Sequence, residues 1–231
     1  MKNLILISIF FLVGCASIPA SYNVDYTPPL LTSINNEKVS SLSFDEVWDD
    51  LVADLSKTFY VINNIDKQSR LLNVSFRITS SINDYVDCGE SIKQFSLASK
   101  EQNISYNVAD SSSYFTSSTV QNNVPNTIYF EYFRIPSLEG RANIYVAPVE
   151  NGTQIMVNSR YSWIFRGEYD TYLYMPLYDS HSKQASVGRR LDTGIVEPIS
   201  FNTNQLGGNI GGVQCISTGK FERDILNLLS S

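Results

Sequence analysis

Histidine occurs once in this 231-residue chain, at position 181. A zinc site of the Cys/His kind draws on four such side chains, so a single histidine argues against one. Basic residues are in deficit: 17 Lys and Arg against 23 Asp and Glu leave a net charge of −6. An acidic chain of this kind carries no electrostatic footprint for nucleic acid. There is no Gly-x-Ser-x-Gly elbow, and no glycine-rich stretch ends in the Lys-Ser/Thr of a phosphate-binding loop, so the usual nucleophile and nucleotide motifs are missing. No internal repeat is visible. What is present, 43% hydrophobic and 17% charged residues, is the composition of a globular protein with a real core.

The N-terminal apolar run, residues 4–13, is broken only by Ser8 and follows one positive charge, Lys2. A bilayer-spanning helix needs roughly 20 apolar residues, and a run of this length matches a signal-peptide hydrophobic region. Leu12-Val13-Gly14-Cys15 resembles the lipobox of bacterial lipoprotein precursors. The resemblance implies that residues 1–14 are a signal peptide, that Cys15 is acylated, and that the lipid ties the protein to a membrane. Several acyl chains on one residue hold stably where one chain binds only marginally. The alternative is a secretory signal with an incidental cysteine. In a Gram-negative host, Ala16 in place of an Asp after the lipidated cysteine implies the periplasmic face of the outer membrane. Processing would remove Lys2 and take the net charge from −6 to −7.

With Cys15 assigned to lipid, Cys88 and Cys215 are left in an oxidising compartment, where a disulfide is expected. Closing so long a loop stabilises by about 4–5 kcal/mol on the chain-entropy account. Two buried free thiols, or two ligands of an incomplete metal site, are the other readings. Residues 15–29, with Pro, Ser and Tyr in no period, read as a lipidated cysteine and flexible tether. Residues 30–231 read as one periplasmic domain.

Within that domain, residues 30–39 are a candidate strand. Ser43-Phe44-Asp45-Glu46 has the Ser-x-x-Glu spacing of a capping box, which predicts a helix from Ser43. Phe44, Val47, Trp48, Leu51, Leu55 and Phe59 fall at three- and four-residue spacing and give it one buried face. Asp45, Glu46, Asp49, Asp50 and Asp54 read as its solvated face, the first of them favoured by the helix dipole. Residues 59–65 and 70–78 follow as strands about the turn Asp66-Lys67-Gln68-Ser69, the second alternating Leu72, Val74, Phe76 and Ile78 with polar residues. This β-α-β-β order, "SFDEVWDDLVADLSKTFYVINNIDKQSRLLNVSF", resembles the domains of BamC-like envelope lipoproteins of outer-membrane assembly. The resemblance covers about residues 40–78 and implies a layer pattern with no functional signature.

Residues 79–126 are polar and read as irregular elements. Strands are expected at 127–135 and 141–149, a hairpin turn at Asn151-Gly152, a returning strand at 153–165, and a weaker strand at 192–201. A C-terminal helix over 220–229 uses Phe221, Ile225, Leu228 and Leu229 as its inner face. The expected class is therefore α+β: an antiparallel sheet packed by one main helix, with a second helix at the C-terminus.

No catalytic set, metal site or cofactor motif emerges. Asp179-Ser180-His181 holds the residue types of a hydrolase triad, but sequence neighbours cannot face one another as a triad requires. Residues 207–212, rich in glycine, lack the flanking strand and helix of a dinucleotide fingerprint and read as a flexible connection. The most unusual segment runs from Glu168 to Tyr178. Tyr169, Tyr172, Tyr174 and Tyr178 combine apolar area with a polar tip and could dock an envelope protein or a glycan. The same tyrosines also alternate with Leu173 and Met175, as a strand with one buried face would. The functional expectation is a lipid-anchored, non-catalytic binding or structural module, in outer-membrane assembly or maintenance. The alternatives are an envelope glycan hydrolase with scattered carboxylates and a carrier of apolar ligands.

Overall fold

The computed structural model describes residues 20–117, 127–175, 178, 180–183, 191–195, 198–208 and 211–230. The lipobox and Cys15 lie outside the described residues. In chain order the elements are β1 (Ser21–Thr27), β2 (Glu37–Ser40), α1 (Phe44–Leu55), β3 (Val61–Asp66), β4 (Leu71–Ile78), β5 (Val86–Asp87), β6 (Glu90–Leu97), β7 (Lys100–Asn107) and β8 (Ser112–Ser117). They continue with β9 (Thr127–Val149), β10 (Gly152–Met175), β11 (Ser180–Lys183), β12 (Leu191–Ile195), β13 (Ile199–Asn202), β14 (Gly207–Gly208), β15 (Gln214–Ser217) and α2 (Lys220–Asn227). Among the described residues the protein is mostly antiparallel sheet with two α-helices, a sheet-rich α+β architecture.

Its frame is one long hairpin. β9 pairs with β10 over its full 23 residues, from Val149 opposite Gly152 to Thr127 opposite Tyr174. At about 3.4 Å per residue that is some 75 Å of strand if fully extended. Strands so long would offer bare edges to any passing chain, and here both edges are covered piecewise. β4 pairs with β9 over positions 138–145 and β8 over 129–134. Along the far edge of β10 lie β2, β13, β12 and β11 in turn. Between β2 and β13, Asn36 both donates from Nδ2 to the Val157 carbonyl and accepts the Val157 amide through its own carbonyl, at 2.9 and 2.8 Å. The Ser159 amide then donates to Thr203 Oγ1 at 3.0 Å.

The sequence leads one to expect two strands where β9 is one. Pro136 lies in the interval 135–137, where β9 passes from β8 to β4. That interval is where a residue without an amide N–H interrupts the outer ladder least. The turn is Glu150-Asn151, one residue earlier than expected, and Gly152 already pairs with Val149.

α1 begins as its capping box requires: the Ser43 amide donates to Glu46 Oε2 at 3.0 Å and the Glu46 amide to Ser43 Oγ at 3.4 Å. Such a cap contributes about 1 kcal/mol. Val47, Trp48, Leu51 and Leu55 of α1, with Phe221, Ile225 and Leu226 of α2, join Leu72, Val74, Ile144, Val157 and Tyr161 in one core, so both helices contribute to it. Gly140 stands opposite Phe76 on β4, and a Cβ there would strike the Phe76 ring. Its absence lets the ring lie across β9.

Two expectations are corrected. Residues 21–27, taken as flexible tether, are β1, hydrogen-bonded along β6. Residues 79–126, taken as irregular, contain β5 to β8; β6 and β7 form a hairpin that with β1 makes a separate three-stranded sheet. The expected disulfide is present: Cys88 and Cys215 are joined, with Cα atoms 4.0 Å apart and both residues fully buried. Ile216 pairs with Asp87 in register, and the next step along the same two strands sets Cys215 opposite Cys88. Gly207–Gly208, expected as a connection, pairs with Gln214 and Cys215 as the edge of this small sheet.

Candidate binding site

Beyond Pro136 the hairpin leaves the helices and meets the sheet β1–β6–β7, forming a second, smaller core. Phe95, Leu97, Tyr129 and Tyr174 are buried there, with Phe115 and Tyr172 against them. This end holds the tyrosine-rich segment, and the structure divides its members. Tyr174 is only 2% exposed, pairs in register with His181 on β11, and lies 4.6 Å from the His181 ring. It is core, which corrects its assignment to a contact surface. Tyr172 is half-buried: its ring stacks on Tyr129 at 5.2 Å, and its hydroxyl donates to Glu131 Oε2 at 2.8 Å. Tyr169 meets the Phe130 ring edge-on at 5.4 Å. Tyr178 is 76% exposed. His181 is held within the β10–β11 ladder, while Asp179 lies outside the described residues.

The structure adds three cations that sequence reasoning missed. Lys100 Nζ sits 4.0 Å from the centre of the Phe115 ring and 5.9 Å from those of Tyr129 and Tyr172. Lys93 Nζ lies 5.0 Å from the Tyr114 ring and 5.7 Å from the Tyr22 ring. Arg134, 5% exposed, has Phe165, Tyr106 and Trp163 at 4.9, 5.3 and 5.7 Å from its guanidinium carbon. Its Nη2 donates to the Val108 carbonyl at 2.9 Å, whereas Nη1 is buried without a hydrogen-bond partner. None of the three is in an ion pair among the described residues.

The local electrostatics follow from burial. Lys93 is pushed down from 10.5 to about 8, first by desolvation and then by the Arg134 charge. The Tyr129 hydroxyl is raised to about 12 by burial and by the nearby Glu131 carboxylate. Tyr172 and Tyr114 are also raised, in each case chiefly by burial. Aromatic faces offset part of the cost of a poorly hydrated cation. Such a cluster is chemically suited to accept a carboxylate or another anion from outside. The signal in the sequence was alternation: Lys93, Phe95 and Leu97 fall on the inward face of β6, and Tyr22 is half-buried on β1.

Asp45 and Asp49 are exposed, and both reach Lys67 at 3.0 and 3.3 Å. The fully buried carboxylate Glu222 accepts hydrogen bonds from Tyr161 Oη at 2.8 Å and Thr203 Oγ1 at 2.7 Å. Ser217 Oγ, 3.1 Å from Tyr161 Oη and 3.4 Å from Glu222, completes the group. Its oxygens are engaged from within, and the network fastens α2 to β10. Among the described residues no group of three or more His, Cys, Asp or Glu side chains is placed to hold a metal ion, and no helix is long and apolar enough to cross a membrane. No family model matches the chain, nor does any curated protein or any solved structure.

Proposed function

We propose that this chain is a lipid-anchored envelope protein that acts by binding, and that the distal end of the β9–β10 hairpin is its docking element. The lipobox Leu12-Val13-Gly14-Cys15 supports the anchor. The resemblance of residues 40–78 to BamC-like domains supports a place in outer-membrane assembly or maintenance, with α1 as the main helical cover of the sheet. The observation that carries the contact is that Lys100 lies over Phe115, and Lys93 and Arg134 over other rings of this end, none of them in an ion pair among the described residues, in a chain of net charge −6. A buried cation without a counter-charge is costly, and an incoming carboxylate removes that cost. The partner is accordingly an acidic segment of another envelope protein, met at Lys100, Tyr172 and the exposed Tyr178.

The test is in situ cross-linking in intact envelopes, comparing the full chain with its Lys93→Gln/Lys100→Gln variant. Loss of a cross-linked partner from a variant that melts like the parent supports the reading, and an undiminished cross-link overturns it. For the anchor, Cys15→Ser should abolish incorporation of labelled fatty acid; incorporation that persists removes the assignment.

A further inference from the structure

On the face of the large sheet opposite the helices, strand alternation brings out a second set of residues. Asn73, Asn143 and Asn158 are consecutive register partners on β4, β9 and β10. Asn73 and Asn143 are linked, Asn63 Nδ2 donating to Asn73 Oδ1 at 3.0 Å and Asn73 Nδ2 to Asn143 Oδ1 at 2.7 Å, while Asn158 Oδ1 accepts from Asn36 Nδ2 at 3.2 Å. One same-face row further along, Arg141 stands directly opposite Arg160, which in turn pairs with Asn202. One row in the other direction is the exposed ring of Tyr145.

Opposed side chains on one sheet face are about 5 Å apart, and like charges in that position are destabilising. Neither arginine is in an ion pair among the described residues. The acid nearest to them in register, Glu139, is engaged by Arg77 at 3.5 Å. Asn73, Asn143, Asn158, Arg141, Arg160 and Asn202 line an open depression of about 510 Å³. Four residues of strand separate Tyr145 from Arg141, roughly 13 Å. Over that distance the face presents an aromatic platform, a row of amides and a pair of guanidiniums.

We infer that this face binds an acidic oligosaccharide through a carboxylate. The sugar ring stacks on Tyr145, and the Nδ2 groups of Asn143 and Asn158, whose Oδ1 atoms are held by Asn73 and Asn36, donate to ring hydroxyls. The carboxylate lies between Arg141 and Arg160, a planar anion offering one oxygen to each planar guanidinium, and relieves their repulsion. This contact lies apart from the distal one and does not depend on it.

The experiment is calorimetric titration of the full chain in detergent at low salt with three probes: an oligogalacturonate, its methyl ester and a phosphomannan oligosaccharide. The acid form should bind, weaken as salt is added, and lose roughly tenfold or more of its affinity in Arg141→Gln/Arg160→Gln. The melting temperature of that variant should stay level or rise, because the opposed charges are gone. A single Arg160→Gln change, carrying the smaller disturbance, should weaken binding in the same direction. Binding of the methyl ester as tight as that of the acid, preference for the phosphosugar, no binding of the acid form, or undiminished affinity in the double variant would each overturn the inference.

Discussion

Tyr161 and Glu222 share a 2.8 Å hydrogen bond between β10 and α2, with both residues fully buried. Burial and the facing carboxylate hold the Tyr161 hydroxyl well above its usual range, so it stays a donor. Glu222→Leu leaves the buried Tyr161 hydroxyl without its acceptor and throws Thr203 Oγ1 and Ser217 Oγ back on the Ser159 carbonyl and Tyr161 Oη, and should cost about 3 kcal/mol. Tyr161→Phe removes one donor of the set and should cost about half as much. Denaturant unfolding of the two variants checks the order, and equal losses would mean that the pair does not act as a network.

Lys93 gives the protein a pH signature. Its folded value, about 8, lies below the ordinary 10.5, so between these values the unfolded chain binds more protons and stability rises with pH. The rise should run from about pH 8 to about pH 10, beyond which ionising tyrosines of the unfolded chain oppose it. Lys93→Met should flatten this slope in melts across that range. Competitive acetylation of the native protein should give Lys93 a midpoint near 8, well below that of the exposed Lys57.

The bridge between Cys88 and Cys215 spans 127 residues of sequence. Replacing both by serine should lower stability by up to about 4–5 kcal/mol. Thiol titration of the unfolded, unreduced parent should find no free thiol at these two positions, and a double variant as stable as the parent would deny the bridge its structural role.

Tyr174 and Tyr178, four residues apart, should respond oppositely to truncation. Tyr174→Ala empties part of the small core and should cost about 3 kcal/mol. Tyr178→Ala, at 76% exposure, should change stability by less than about 0.5 kcal/mol while reducing recovery of the distal partner. Thermal melts and the cross-linking assay separate the two.

Features set by short-range rules were legible in the sequence. Ser43 and Glu46 announced α1, the alternation through Leu72, Val74 and Phe76 announced β4, and Phe221 and Ile225 announced α2. Others were hidden where polar residues occupy inward positions. Ser91 and Lys93 break the apolar alternation of β6, and so conceal a strand whose inner face is partly cationic. β1 does alternate, with Tyr22, Val24 and Tyr26, but the prolines that follow gave it the look of a tether. The candidate site depended on pairing. Nothing local to Lys100 announces Phe115, because one sheet packing on another brings them together, and nothing local to Arg141 announces Arg160, because the register of β9 with β10 does so.

The piecewise covering of β10 also sets a timetable for assembly. Its first cover, β2, is made early in synthesis, but β11, β12 and β13 come from residues 180–202, after the hairpin is complete. Until they arrive, most of the far edge of β10 has no partner of its own and can recruit a strand from another chain. The span from the closing of the hairpin to the docking of β13 is thus the aggregation-prone interval of this protein's folding. A holdase that shields the edge during that interval should raise the yield of native protein more than one acting after α2 has closed the fold.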